Sequence, residues 1–77
     1  RTYRMHVASL EVQAGQDVFS AEMNGQASGK IMLAAPATQG GSEVLVVAQI
    51  ASLEHGLHLF DSNGPVLTQL PLPYALN

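Results

Sequence analysis

The chain has no cysteine, no tryptophan and very little charge. Without cysteine there is no disulfide framework, no thiolate nucleophile and no thiolate zinc site. Its cations are Arg1, Arg4 and Lys30, against six acidic residues, for a formal charge of -3. Three cations neutralise few phosphates, which argues against a free-standing nucleic-acid binder. Two tyrosines and two phenylalanines make a poor base-stacking platform. No apolar run approaches the roughly 20 residues needed to span a bilayer, so no membrane partner is expected.

What is present is apolar: 47% of the 77 residues are hydrophobic and only 12% charged. That composition excludes a disordered tail and has room for one domain. A free domain this small ordinarily keeps its surface charged, so a charge-poor one is expected to have part of its surface covered by other domains or a partner. The chain opens Arg1-Thr2-Tyr3-Arg4 and alternates at once, without the apolar run of a leader. It therefore reads as a fragment of a longer protein.

Period-two alternation dominates. Thr2–Ser9 places Tyr3, Met5 and Val7 on one face, with Arg4 and His6 on the other. Asp17–Met23 places Phe19, Ala21 and Met23 opposite Val18, Ser20 and Glu22, and Asn24-Gly25 is a hairpin signal. Ser28–Ala35 returns antiparallel, stopped by Pro36. Glu43–Ala51 contains Val44-Leu45-Val46-Val47-Ala48, apolar on both faces, and is expected to be a central strand covered on both sides. Ala51–Gly56 has room for one helical turn, with Ser52 as N-cap and Gly56 as stop. Leu57–Asp61 and Val66–Leu70 are further short strands around Asp61-Ser62-Asn63-Gly64-Pro65, and Pro71-Leu72-Pro73 forces an extended exit. Residues 1–77 are thus expected to form a single all-β domain. It is a small antiparallel six-stranded barrel, closed or nearly closed, with an extended, proline-spaced C-terminal tail.

Chemistry-bearing patterns are weak. Gly25-Gln26-Ala27-Ser28-Gly29-Lys30 is one residue short of a phosphate loop, and Ile31 replaces the Ser/Thr that holds magnesium. Lys30 is expected to be a solvated strand residue. His55 and His58, near Glu54 and Asp61, are separated by a glycine and lack the convergence a metal needs. His6 reads as outward-facing. No serine stands in a nucleophile-elbow context. No catalytic, cofactor-binding or metal-binding residue is therefore expected in the chain, and composition and motifs alone do not disclose a function.

Several segments taken in order do carry a resemblance. They are the opening strand with Val7-Ala8-Ser9, the loop Ala14-Gly15-Gln16-Asp17, and Gly29-Lys30-Ile31-Met32-Leu33-Ala34-Ala35. The valine-rich Val44–Val47 and the ending Leu70-Pro71-Leu72-Pro73-Tyr74-Ala75-Leu76 complete the set. Together they resemble the C-terminal barrel of YgfZ-type folate-binding proteins, which are similar to the T-protein (aminomethyltransferase) of the glycine cleavage system. The resemblance implies a cytoplasmic, three-part protein whose last part is a small barrel packed on a folate-binding body. It further implies a role in tRNA modification through upkeep of iron–sulfur enzymes, with tetrahydrofolate as the ligand of the full-length protein. The family's signature, Lys-x-Cys-Tyr-x-Gly-Gln-Glu, precedes the barrel and has no counterpart in these residues, so no functional residue carries over. The expected partners are the upstream domains of the same chain; the extended ending with Leu72, Pro73 and Tyr74 either lies on those domains or folds back to close the open end of its own barrel. Two other readings are a piece of an aminomethyltransferase proper and an oligonucleotide-binding barrel, for which Arg4 and His6 are the only support.

Overall fold

The computed structural model describes residues 1–21 and 25–70. The expected interface residues Leu72, Pro73 and Tyr74, the proline-spaced tail they belong to, and Asn24 of the hairpin signal lie outside these residues.

Six strands form: β1 (Thr2–Val7), β2 (Asp17–Phe19), β3 (Ala27–Pro36), β4 (Ser42–Ala48), β5 (Leu57–Leu59) and β6 (Val66–Gln69). Every pairing is antiparallel, and the strands close in the order β1-β4-β3-β2-β5-β6. The molecule is therefore an all-β closed barrel, with one short helix among the described residues, α1 (Ile50–Glu54). Closure leaves few open edges for so short a chain.

Alternation fills the interior. Met5 and Val7 of β1, Val18 of β2, and Ile31 of β3 point inward, with Val44, Val46 and Ala48 of β4, Leu57 and Leu59 of β5, and Leu67 of β6. Val12 drops into the same core from the connection after β1. That connection is tied down by Ser42, whose hydroxyl donates to the Ser9 carbonyl at 2.7 Å. The phenol oxygen of Tyr3 is buried without a hydrogen-bond partner among the described residues.

Several expectations need correction. β4 lies between β1 and β3 as expected of a central strand, but its outer face is not covered among the described residues: Val47 is 39% exposed and Leu45 half-buried. A barrel has one inside, so a strand apolar on both faces must show one to the surroundings. β4 also ends at Ala48, because Ile50 and Ala51 belong to α1. Ser52 is not its N-cap. Gln49 is, with no side-chain cap bond, while Ser52 is buried inside the helix. Gly56 follows the helix at φ +87°, as the stop reading required. β5 ends at Leu59, two residues early, because Phe60 takes φ +74° and the Asp61 N–H donates back to the Leu59 carbonyl. That is a tight γ-turn of the uncommon hand.

In β2 the inward residue is Val18, with Ser20 just beyond the strand also fully buried. Register shifts between Val18 and Phe19, so Ser28 of β3 has no partner residue. Its hydroxyl instead accepts from the Ser20 backbone N–H at 2.9 Å and bonds the Ser20 hydroxyl at 2.8 Å. The bulge thus replaces a missing ladder bond by a side chain. Ser28→Ala takes that acceptor from a buried N–H and is expected to cost about 1–2 kcal/mol in a urea unfolding curve. A change below about 0.3 kcal/mol would mean that the pair contributes nothing.

Candidate functional site

Among the described residues the barrel interior is filled mainly by aliphatic side chains, which turns attention to the outer surface. An apolar surface lies over β1, β4 and β3. Register sets Arg4, Leu45 and Leu33 in one cross-strand row and His6, Glu43 and Ala35 in the next. On the other side of the first row come Thr2, Val47 and Lys30. Met32 is the extra residue where register shifts between Ile31 and Leu33, so both Met32 and Leu33 turn outward, 51% and 60% exposed. Leu33, Ala35 and Leu45, together with Arg4 and Glu43, line a shallow groove of about 480 Å³.

The charges beside the groove are already spent. Arg4 donates from Nε and Nη2 to one Glu43 oxygen, at 3.1 and 2.8 Å, across a diagonal of the β1–β4 ladder. Both side chains remain more than a third exposed, so the pair is worth less than about 1 kcal/mol and serves mainly to cancel charge. Lys30 is exposed as expected, with its Nζ 3.7 Å from Asp17 Oδ1. Two of the three cations thus stand beside carboxylates, which weakens the case for a phosphate-binding face.

The histidines are held apart. Nε2–H of His6 donates to the Gly40 carbonyl at 2.7 Å, on the loop between β3 and β4. Nδ1–H of His58 donates to the Gly64 carbonyl at 2.8 Å, on the turn between β5 and β6. A carbonyl only accepts, so the nitrogen facing it carries a proton in each ring. His58 points away from Leu57 and Leu59, as alternation requires. Among the described residues no three His, Asp or Glu side chains converge on a metal position. Nor is any helix among them long and apolar enough to cross a membrane.

Phe60 and Val66 are also exposed apolar side chains, each 50% exposed. Neither group was singled out residue by residue from the sequence. The signal for the first was present in the two-faced apolar pattern of Val44–Ala48 and the unbroken run Ile31-Met32-Leu33. For Phe60 there was none, because an aromatic residue at positive φ follows no propensity.

No family model, curated protein or solved structure matches the chain.

Proposed function

We propose that this barrel is the non-catalytic terminal lobe of a YgfZ-type folate-binding protein, a wall against which the folate-binding body rests. In that role it serves tRNA modification and iron–sulfur enzyme upkeep in the cytoplasm only through the longer protein. The observation that carries the reading is the uncovered apolar outer face of β3 and β4, where Met32, Leu33, Leu45 and Val47 stand in a chain with few charges. Such a face gains from being covered, at roughly 25 cal/mol per Å² of apolar surface. A mainly aliphatic interior, without convergent polar groups among the described residues, suits a lobe that shapes a neighbouring site. The ordered likeness of the sequence to the family's barrel supplies the name, and the absent cysteine signature leaves the chemistry to residues outside this lobe.

The test is a calorimetric titration of the 77-residue chain with tetrahydrofolate. The expected result is no binding stronger than about 1 mM. Micromolar binding would place the ligand site in the barrel and overturn the reading.

A further inference from the structure

Asparagine is followed by glycine at Asn24-Gly25 and at Asn63-Gly64, and only the second pair lies wholly within the described residues. Such a pair is self-reactive. Once the glycine N–H has lost its proton, the nitrogen attacks the asparagine side-chain carbonyl carbon, with no Cβ on the glycine to hinder it. A C–N bond forms to that carbon, its bond to the amide nitrogen breaks, and the leaving nitrogen takes up a proton and departs as ammonia. Water then opens the cyclic imide at one carbonyl or the other, to give aspartate or isoaspartate. This chemistry is one reason that asparagine counts among the thermolabile residues.

Asn63 is exposed to water, yet the fold holds the nitrogen that would attack it. The Gly64 N–H donates to the Asp61 carbonyl at 3.0 Å. One residue back, the Asn63 N–H donates to Oδ1 of Asp61 at 2.8 Å. On the far side, the Gly64 carbonyl accepts from Nδ1–H of His58 at 2.8 Å. The Gly64 Cα lies so near the Leu59 carbonyl that a Cβ would collide with it, and Leu59 is itself tied by its N–H to the Pro65 carbonyl at 2.8 Å. For the Gly64 nitrogen to lose its proton and swing toward the Asn63 side chain, the turn between β5 and β6 has to let go. Amide exchange at Gly64 meets the same barrier, because it begins by removing the same proton.

We infer that Asn63 is a self-modification site held shut by the fold: it forms the imide only when the β5–β6 turn opens, and the isoaspartate product keeps the turn from closing again. Isoaspartate routes the main chain through Cβ and so inserts an extra backbone atom. That atom falls beside Gly64, where the Leu59 carbonyl leaves no room even for a methyl group. It also shifts Gly64 away from Asp61 and His58, which hold its N–H and its carbonyl. An opening that ends in reaction is thereby kept as a permanent change, and the turn records its own history.

The test is peptide mapping by mass spectrometry of the folded chain, aged in warm, mildly alkaline buffer beside the free peptide Asp-Ser-Asn-Gly-Pro-Val. Mapping separates Asn63 from Asn24. Conversion at Asn63 is expected to be about 100-fold slower in the folded chain than in the peptide, and to reach the peptide's rate in denaturing urea. Gly64 amide exchange, followed by NMR, is slowed by about the same factor. His58→Ala releases the Gly64 carbonyl and raises both rates together by about tenfold, with circular dichroism showing that the barrel is kept. The comparison of folded chain and peptide needs no variant. The isoaspartate chain, separated by chromatography, unfolds at lower urea than Asn63→Asp, which carries the same charge on an ordinary backbone. Conversion in the folded chain within about twofold of the peptide would overturn the proposal. So would fast conversion beside a protected Gly64 amide, or an isoaspartate chain as stable as Asn63→Asp.

Discussion

Gly64→Ala is expected to lower the unfolding free energy by about 3 kcal/mol, near the upper end for overpacking. Gly64 lies in the turn between β5 and β6, and a methyl group on its Cα would run into the backbone carbonyl of Leu59. That carbonyl cannot step aside. It accepts the Asp61 N–H in the γ-turn, and the Leu59 N–H is bound to the Pro65 carbonyl at 2.8 Å. The Gly64 carbonyl is held in turn by His58. Gly40→Ala provides the comparison. Its φ of +101° is unfavourable for alanine, which Gly64's backbone is not, and no atom lies within 4 Å of the added methyl. It should cost only the backbone term, about 1–2 kcal/mol. Urea unfolding of the two variants separates the effects. Equal losses would show that the close approach to Leu59 does not limit the fold.

Ile31→Ala is expected to cost about 3–4 kcal/mol, within the range for a fully buried aliphatic residue truncated to alanine. Ile31 is completely buried. It stands opposite Val46 where register shifts in β3, and its own N–H and carbonyl hold the end of the β2 connection through Gln16 and Gly15. The neighbours are pinned by the ladder and have little freedom to collapse into the space. Val47→Ala, one position along β4 from the residue opposite Ile31 and on the outside, removes a side chain 39% exposed and should cost less than about 1 kcal/mol. The urea midpoint is the readout, with an unchanged slope showing that both variants unfold as the parent does. A loss at Val47 as large as at Ile31 would mean that the outer face is covered in the isolated chain.

Most of the barrel was legible because alternation is a local signal. Met5 and Val7 on one side of β1, with Arg4 and His6 on the other, could be read residue by residue, and all six strands lie where the alternating segments predict them. The ends were less legible, since they depend on backbone conformations that residue type does not signal. β5 stops at Leu59 because Phe60 takes a positive φ and the Asp61 N–H closes back on the Leu59 carbonyl. Ser52 has the chemistry of a helix cap, yet the helix begins two residues earlier, where β4 gives way after Ala48. It is therefore buried where a cap would be exposed. For the outer face, the sequence shows that Leu33, Leu45 and Val47 are apolar but not which side of the barrel they occupy, because that follows from register. That β3 runs on past β2 to Pro36 depends on where β2 ends, and the turn at Gly15 beside it reads as a plain connection.

The joints of the barrel differ in length. β1 and β4 share six register pairs and β3 and β4 seven, while β5 meets each neighbour over two. A cask with one thin stave fails at that stave. Strain from heat, pulling or a neighbour's movement will part the wall at β5 while the β1–β4–β3 panel stays whole, so the lobe can loosen on one flank without letting go on the other.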